Sequence, residues 1–452
     1  MDRRILILSA SVGSGHTIAA RALEESLRNR LGIERVRTLD VLETTPELYR
    51  TFYDDAYFGL VEAVPWLVGW GYDANNPPFK LGGSISLWDR INTTSTVRSI
   101  REFRPDIVLC THFLPARLVS LMLTRGSFST RLAVITTDYD FQGLWLSNTF
   151  NHFYTAREET RAHLIGLGLP ADRLTASGIP VRAELGRPLD DDARAAVRAR
   201  YGLEDGVPTL LISAGAAGGG YALGIVRQVR ELTADFRAVV VCGRNAQLEH
   251  AVRQLVDGHD RRFRVLGYTT EMPELMRVAD LFVGKPGGLS ASEAMAAGLP
   301  MVLIKPIPGQ EERNSDFLLE EGAAIRCNYD TTVGWKIDRL LAEPGRLAAM
   351  AEHARRIGRP HAAGEITSAV LADTREQLWI SHAAQRSILA SSERGIAPSD
   401  LQADRRIRTL VDTGTGRSVG LITEAQRRTV AKGQRRQVDL GRGGRHPAHR
   451  EH

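Results

Sequence analysis

The sequence predicts an α/β protein with two Rossmann-like domains that face each other across a cleft. Short apolar runs alternate with helical stretches along most of the chain. A run that is apolar on both sides and flanked by helices is typical of a parallel sheet covered on both faces. A cleft between two such domains collects ligands at the carboxyl ends of the strands. The predicted strands are Ile5–Leu8, Ile107–Leu109, Leu132–Thr136, Leu210–Ser213, Ala238–Cys242, Leu281–Gly284 and Met301–Ile304.

Chain length sets the domain organisation. The 452 residues suit two domains of roughly 150 to 200 residues with extensions. We predict a first domain over residues 1–182, a polar and helix-prone linker over 183–204, and a second domain over 205–360. A closing helix is expected over 361–384, followed by a basic tail over 385–452.

The tail carries the positive charge of the chain. Residues 401–452 hold 12 Lys and Arg against 5 Asp and Glu, whereas the whole chain has a net charge of only +5. Few aromatic residues and no sustained apolar period predict that the tail is disordered. It either has no specific partner or is attracted to anionic lipid. A specific nucleic-acid partner is not expected.

The sequence has no marks of a secreted or membrane-spanning chain. The apolar run near the start is too short for a signal peptide, and no uninterrupted apolar run reaches the roughly 18 residues that span a bilayer. Three widely separated cysteines, Cys110, Cys242 and Cys327, imply neither a disulfide framework nor a zinc site. We therefore expect a cytoplasmic protein.

An aromatic segment indicates contact with a membrane surface. Residues 49–72 contain eight aromatic side chains among apolar neighbours, including Phe58, Trp66 and Trp70. Aromatic rings suit the headgroup boundary, so we expect peripheral association with the inner face of the cell membrane, beside the predicted cleft. The alternative is a set of helices packed on the N-terminal core.

The first glycine loop joins a predicted strand to a helix. Gly13 and Gly15 let the chain turn sharply beside a ligand. The loop is not a Walker A motif, because no Gly-Lys-Ser/Thr follows, and it lacks the third glycine of a dinucleotide fingerprint. The helix dipole disfavours a charged imidazole at His16, so this residue should stay neutral and can act as a general base. In the alternative interpretation, His16 only caps its helix.

A second glycine cluster ends another predicted strand and begins a helix. Free backbone N–H groups around Gly287, Gly288 and Leu289, together with the Ser290 hydroxyl, can bind a diphosphate without a metal. Glu293 lies about one turn beyond Ser290 on the same helix face, where a carboxylate can accept hydrogen bonds from both hydroxyls of a ribose.

Two further loops supply candidate ligands. Gln310 and Glu311 follow the strand Met301–Ile304 and can hold sugar hydroxyls. Gly215 belongs to a third glycine loop that can approach the phosphates, although a glycine loop alone is weak evidence. A plain helix cap with exposed polar neighbours is the alternative for the Gly287 cluster.

Three groups of motifs together resemble a known family. They are Ser11–His16, Gly267–Thr269 before Met272–Met276, and Lys285–Gly288 through Pro308–Glu311. In this order, over residues 4–380, they are similar to the diacylglycerol glycosyltransferases of glycosyltransferase family 28. That family comprises the monogalactosyldiacylglycerol synthases and the bacterial processive diacylglycerol glucosyltransferases. The resemblance implies the GT-B fold, a UDP-hexose donor in the C-terminal domain, an inverting mechanism, no cofactor and no catalytic metal.

The resemblance also implies catalytic roles in the N-terminal domain. It makes His16 the base and places Asp138 at the cleft, where it can orient or replace His16. The sequence departs from the family just afterwards, because some relatives carry a histidine before the tryptophan where this chain has Gln142 before Trp145. The acceptor contacts of this loop therefore differ from the family pattern.

On the donor side, the resemblance makes Glu293 the ribose ligand. Tyr268 and its neighbours would line the uracil pocket, while Gln310 and Glu311 would contact the hexose. Arg244 resembles a basic position near the donor, and its alternative is a surface arginine at a strand end.

The expected reaction is direct displacement at the anomeric carbon of a UDP-hexose by a lipid hydroxyl, with diacylglycerol as the acceptor. Alternatives are another hydrophobic alcohol such as a polyprenyl lipid, a UDP-sugar epimerase on the same fold, and a non-catalytic dinucleotide-binding module. The last would use an acidic residue after the first loop, where Asp40 fits loosely.

Two strings imitate the Asp-x-Asp metal motif of another glycosyltransferase fold. They are Asp138-Tyr139-Asp140, at a strand end, and Asp190-Asp191-Asp192, before a helical stretch. Asp is favoured at a helix start by capping and by the helix dipole, so the second string is better explained as a cap. Metal ligation by either string is not expected.

Overall fold

A computed structural model describes residues 3–11, 13–45, 76–80, 93–256 and 260–394. Within these residues, two six-stranded sheets form the centres of two domains, and all neighbouring strands in each sheet are parallel. The prediction of an α/β protein with two Rossmann-like domains is confirmed.

The first sheet lies in the N-terminal half. Its strands are β1 (Ile5–Ser9), β2 (Val36–Asp40), β3 (Ile107–Cys110), β4 (Arg131–Ile135), β6 (His152–Thr155) and β7 (Leu174–Ala176), and a short strand β5 (Thr149–Phe150) lies outside it. The order is β2-β1-β3-β4-β6-β7. The side chains of β1 and β3 are buried along the whole strand, as expected for a parallel sheet covered on both faces.

Helices cover both faces of this sheet. They are Gly15–Glu25, which continues as a wider turn over Ser26–Arg30, and Thr94–Phe103, Phe113–Thr124 and Glu158–Gly166. The first of them buries Ala19, Ala20 and Leu23, whose spacing places them on one face of the helix.

The second sheet has the order β10-β9-β8-β11-β12-β13. Its strands are β8 (Thr209–Ser213), β9 (Arg237–Val241), β10 (Phe263–Leu266), β11 (Leu281–Gly284), β12 (Met301–Ile304) and β13 (Ala324–Cys327). Its helices are Tyr221–Arg230, Ala246–Leu255, Met272–Val278, Gly288–Ala296, Gln310–Glu320, Val333–Ala342 and Pro344–Ile357. All three cysteines lie in the described residues and are buried, free thiols.

The predicted linker over 183–204 contains a helix, Asp191–Tyr201, that packs on the second domain. Arg194 donates to the carbonyl of Arg277, and Arg198 donates to the carbonyl of Val278. These bonds attach the segment to the second sheet's helical layer, so the body of the second domain begins before residue 205.

The C-terminal segment differs from the predicted closing helix over 361–384. A helix covers Ala362–Ala372, a short strand β14 (Leu378–Trp379) pairs antiparallel with β5, and a second helix runs over His382–Arg394. The expected tail boundary at 385 is therefore wrong, because it falls inside this second helix. Ala384 and Ile388, four residues apart, are buried in the first domain's core, and this burial explains why the helix continues. Residues 395–452, the rest of the predicted basic tail, lie outside the described residues.

Candidate active site

The loops singled out in the sequence lie at the carboxyl ends of neighbouring strands. In the first domain, β1 leads into the first glycine loop, β3 into Thr111, and β4 into Asp138. In the second domain, β8 leads into Gly215, β11 into the Gly287 cluster, and β12 into the segment before helix Gln310–Glu320. Because parallel strands share one carboxyl edge, each set of loops forms one side of a common site.

His16 has one ring nitrogen held by hydrogen bonds and the other free of them within the described residues. Its Nδ1 lies 3.1 Å from the carbonyl oxygen of Thr111 and 2.6 Å from Oγ1 of Thr137. A carbonyl oxygen can only accept, so Nδ1 carries the proton of the neutral ring and Nε2 keeps its lone pair. No residue that the structure describes makes a hydrogen bond to Nε2.

The charge state of His16 also suits a base. Burial lowers its pKa below the ordinary 6.5, against the opposing influence of the Asp138 carboxylate. A lowered pKa keeps the imidazole neutral at pH 7, as proton abstraction requires. The sequence predicts this neutrality from the helix dipole, whereas the first physical cause in the structure is the loss of water around the ring.

His112 is a site residue that sequence analysis missed. Its ring stands edge-on to His16, with ring centroids 4.6 Å apart, and its Nδ1 accepts a hydrogen bond from the Leu114 N–H as the cap of helix Phe113–Thr124. Burial lowers the pKa of His112 well below 6.5, with His16 as the second cause. Its place directly after a strand and before an apolar helix is the sequence signal that marks it.

Trp145 completes the aromatic surroundings of the base. It is buried, and its ring centroid lies 6.5 Å from that of His16 and 6.3 Å from that of His112. The side chain of Gln142, where the sequence departs from the family pattern, accepts from the Leu144 N–H. This bond holds the turn that carries Trp145 beside the two histidines.

Asp138 lies between the two domains. It is 7% exposed, and its carboxylate faces the side-chain amides of Gln310 and Asn314. Burial raises the pKa of Asp138, while the nearby His16 and these two donors oppose the rise. Within the described residues, the hydrogen bonds that orient His16 come from Thr111 and Thr137, and Asp138 acts on His16 through its charge.

The first glycine loop and the segment after β4 are both in direct contact with the Gly287 cluster. A Cβ added at Gly288 would overlap the carbonyl oxygen of Thr137, and one added at Gly15 would lie 3.5 Å from the Cβ of Leu289. Glycine at 288 therefore permits the close approach of the two domains. The first glycine loop, predicted to lie on the acceptor side, and the Gly287 cluster, predicted to bind the donor, are therefore brought together.

The helix that begins at Gly288 leaves anion-binding groups available. It starts without a side-chain cap, so the N–H groups of its first turn, next to Ser290, remain open to a ligand. One turn further, Glu293 is 8% exposed, and burial raises its pKa to about 7, with Arg182 opposing. No described residue forms a hydrogen bond or ion pair with this carboxylate.

Gln310 and Glu311 reach the site, but both have protein partners. The side-chain amide of Gln310 faces the Asp138 carboxylate and opposes the rise in its pKa. Glu311 accepts from the Ile307 N–H at 2.7 Å, and burial raises its pKa against the opposing charge of Lys285. Glu311 thus braces the loop after β12, and its expected contact with a hexose stays a prediction.

Arg244, Tyr268 and Gly215 meet at the rim of the second sheet. The Arg244 guanidinium lies 4.5 Å from the centroid of the Tyr268 ring, which is 49% exposed. The Arg244 N–H also donates to the carbonyl of Ala216, next to Gly215, at 2.9 Å. Gly215 has a φ of +77°, a value that favours glycine. An exposed ring backed by a cation offers a stacking surface for a base.

Gly13 and Asp40 shape the first loop. Gly13 has a φ of +75°, which requires glycine for an unstrained turn. The Asp40 carboxylate accepts from the N–H groups of Ser11 and Leu42, at 3.2 and 2.9 Å. These bonds show that Asp40 supports the first loop. In a dinucleotide-binding module, the residue at this place would instead bind a ribose.

One carboxylate of each Asp-x-Asp string, Asp140 and Asp190, has a protein partner. Asp140 pairs with Arg157 at 3.9 Å and with Arg313 at 3.4 Å. Asp190 caps helix Asp191–Tyr201 by accepting from the Ala193 N–H at 2.8 Å, which confirms the cap interpretation. Outside the gaps in the described chain, no group of three or more His, Cys, Asp and Glu side chains is arranged to hold a metal.

The predicted membrane segment is not covered by the structure. Phe58, Trp66 and Trp70 lie outside the described residues. Among the helices that are described, none has the length and apolar character needed to cross a bilayer.

Comparison with known proteins shows which family the chain resembles. Residues 16–181 match the profile described as monogalactosyldiacylglycerol (MGDG) synthase, and residues 221–357 match glycosyl transferases group 1. A processive diacylglycerol beta-glucosyltransferase of Bacillus cereus (strain G9842) is 29% identical over 396 residues, covering 82% of this chain and 94% of the relative. The resemblance to the diacylglycerol glycosyltransferases is confirmed.

Other comparisons extend this relationship to diacylglycerol glycosyltransferases of further species and to the fold. The relative named processive diacylglycerol beta-glucosyltransferase in Bacillus cytotoxicus is 29% identical over 400 residues, covering 83% of this chain and 95% of the relative. The crystal structure of Acinetobacter baumannii MurG superposes with a TM-score of 0.53 at 18% identity, covering 82% of this chain and 100% of MurG. UDP-GlcNAc 2-epimerase from Neisseria meningitidis gives a TM-score of 0.53 at 15% identity. These structures confirm the GT-B fold.

Proposed function

We propose that this chain is an inverting glycosyltransferase that moves a hexose from a UDP-hexose to diacylglycerol. The observation that carries the proposal is the position of His16. His16 has a free Nε2 and follows a glycine loop that contacts the uncapped start of helix Gly288–Ala296. A base and an anion-binding helix end on opposite sides of one cleft are what a single displacement requires.

The reaction follows from these groups. Nε2 of His16 takes the proton of the acceptor hydroxyl, whose oxygen forms a bond to the anomeric carbon while the bond from that carbon to the diphosphate oxygen breaks. The negative charge that develops on the leaving UDP lies at the N–H groups near Ser290, where the helix dipole stabilises it. Attack opposite the leaving group inverts the anomeric configuration.

The nucleotide has its own set of candidate ligands. The ionised carboxylate of Glu293 would accept from the ribose hydroxyls, and the uracil would stack near Tyr268 and Arg244. Gly215 and Gly287 would lie near the diphosphate, and Gln310 and Glu311 near the hexose. Among the hexoses we propose glucose, because the relatives reported above are named glucosyltransferases.

Diacylglycerol is confined to a bilayer, so the enzyme must work at a membrane surface. We propose peripheral association with the cytoplasmic face of the cell membrane through the aromatic segment with Phe58, Trp66 and Trp70. The basic residues of 395–452 would add attraction to anionic lipid.

One experiment tests the substrate assignment. Purified protein is incubated with liposomes that contain or lack diacylglycerol and with labelled UDP-glucose, UDP-galactose or UDP-N-acetylglucosamine, and the lipid extract is analysed by mass spectrometry. We expect hexosyl-diacylglycerol from UDP-glucose only when diacylglycerol is present. Transfer only to an added polyprenyl lipid would reject the acceptor. Conversion of one UDP-sugar into another without a lipid product would identify an epimerase.

A further inference from the structure

Asn314 joins the two domains at the active site. It lies on helix Gln310–Glu320 of the second domain and is fully buried. Its Oδ1 accepts from the Tyr139 N–H of the first domain at 3.0 Å, and its Nδ2 donates to the Pro286 carbonyl of the second domain at 3.1 Å. Its carboxamide also faces the Asp138 carboxylate and opposes the rise in the pKa of that group. One carboxamide therefore contacts both the segment beside the base and the donor loop.

These two bonds use the asparagine in one orientation. The Tyr139 N–H can only donate and the Pro286 carbonyl can only accept, so the orientation of the carboxamide is fixed. An aspartate at 314 would keep the shape but lose both donors, and it would place a second carboxylate beside Asp138. The protein itself takes up the carboxamide oxygen and nitrogen of Asn314, so this side chain holds the two domains together.

The segment 137–139 connects this carboxamide to the base. Thr137 contacts Nδ1 of His16, the next residue, Asp138, faces Asn314, and the N–H of Tyr139 donates to Asn314. The hydroxyl of Tyr139 lies 2.8 Å from Oγ of Ser292, and its ring centroid lies 4.5 Å from that of Phe317. Three consecutive residues therefore run from the base of one domain into the core of the other.

We propose that Asn314 is a positioning residue that sets the base against the donor loop. When the domains are together, Asn314 fixes segment 137–139 relative to Pro286, so His16 is held at a defined distance from the bound donor. A small displacement of reacting groups costs about 10²-fold in rate. The inference rests on the proposed function for its kinetic part, while the hydrogen bond to the Tyr139 amide can be measured without any substrate.

The test compares Asn314→Ala and the isosteric Asn314→Asp with wild type and with Asp316→Ala, an exposed position on the same helix. We expect kcat to fall about 10²-fold in both Asn314 variants, with UDP affinity by calorimetry changed less than about threefold. We expect Asn314→Asp to regain part of its kcat as the pH falls, because a protonated carboxyl regains one donor. Asp316→Ala should behave as wild type.

Hydrogen exchange supplies a readout that is independent of activity. The amide of Tyr139 should be protected in wild type and should exchange at least tenfold faster in Asn314→Ala. If UDP affinity and kcat fall together while hydrogen exchange of the Tyr139 amide is unchanged, Asn314 is a ligand of the donor and the proposal is overturned. Unchanged kcat in the Asn314 variants would also overturn it. If neither variant folds, an unprotected Tyr139 amide in wild type overturns it and a protected one supports it. An inactive wild type with the expected exchange pattern would reject the proposed function alone.

Discussion

The imidazole rings of His16 and His112 stand nearly perpendicular, at 87°, with centroids 4.6 Å apart. Their hydrogen bonds give them opposite tautomers. His16 holds its proton on Nδ1 towards Thr111, whereas His112 accepts at Nδ1 from Leu114 and holds its proton on Nε2. Burial lowers the pKa of both rings, and the nearby His16 lowers the pKa of His112 further. The pair therefore stays neutral over the pH range in which His16 must accept a proton.

The pH dependence of kcat follows from this relationship. A base works only when it is unprotonated, and the pKa of His16 is lowered, so activity should be constant above pH 6.5 and fall only below it. The carboxylates of Asp138 and Asp40 oppose this shift without reversing it. The measurement is kcat at saturating UDP-glucose and lipid from pH 5 to 9. An acidic midpoint above pH 7 would contradict a neutral, buried His16.

Replacement of His16 tests whether the first domain supplies the base while the second domain binds UDP. His16→Ala should lower kcat by a factor of about 10² to 10⁴, the usual contribution of a general base, and leave UDP affinity nearly unchanged. His250→Ala, an exposed histidine on helix Ala246–Leu255, is the matched control. Near-normal turnover would mean that His16 only caps its helix, and Asp138 would then be the leading candidate for the base. Loss of UDP binding would assign the first loop to the nucleotide.

The strands that sequence reasoning found and missed differ in how continuous their apolar pattern is. β11 and β12 were predicted with their observed bounds, because a central parallel strand is a continuous apolar run. Within the two six-stranded sheets, β2, β6, β7, β10 and β13 were not predicted. Four of them, β2, β7, β10 and β13, lie at sheet edges and contain polar or partly exposed residues. β6 lies inside its sheet and is buried, but it begins with His152 and ends with Thr155, so it has no long apolar run.

The site residues also divide into those in a local sequence motif and those whose role depends on a distant part of the chain. The loops with His16 and Gly288 are local motifs, so the sequence revealed them. The role of Asn314 depends on the Tyr139 amide 175 residues away, and no local pattern reports such a pairing. His112 has a local signal, but its importance arises from contact with His16, which follows a different strand.

The carboxylate of Glu293 should couple UDP binding to pH. Burial raises its pKa to about 7 in the free protein, and hydrogen bonds from ribose hydroxyls favour the ionised form. UDP affinity should therefore rise about tenfold per pH unit up to pH 7 and level off above it. Glu293→Gln should weaken binding at pH 8 by about 1.5 to 3 kcal/mol and remove most of the slope. Calorimetric titrations from pH 5.5 to 8.5 measure both, and equal slopes in the two proteins would exclude a ribose contact.

Activity should persist without divalent metal. The N–H groups at the uncapped start of helix Gly288–Ala296 can neutralise the leaving diphosphate, and the carboxylates of Asp138 and Asp140 are bound to protein groups. Initial rates with excess EDTA should stay within about twofold of those with Mg²⁺, since the helix dipole replaces the ion. Complete loss that Mg²⁺ or Mn²⁺ restores would show that the reaction needs a metal.

The contact between Gly288 and Thr137 gives a substitution that should separate domain closure from folding. A methyl group at 288 would overlap the Thr137 carbonyl of the other domain, yet Gly288 is the first residue of a helix, where alanine is favoured. Gly288→Ala should therefore fold with normal thermal stability but hold the two loops apart. We expect kcat to fall about 10²-fold, the cost of a misplaced reacting group.

The matched control is Gly345→Ala, in helix Pro344–Ile357, where an added Cβ meets no atom within 4 Å. This variant should keep wild-type kcat and gain up to about 1 kcal/mol in stability, because alanine is the better helix former. The measurements are kcat, thermal unfolding, and hydrogen exchange of segment 137–139, which should exchange faster only in Gly288→Ala. Wild-type turnover in Gly288→Ala would mean that the contact between the two loops plays no part in the reaction. Unfolding of that variant alone would mean that the contact stabilises the protein as a whole, so that closure and folding cannot be separated at this position.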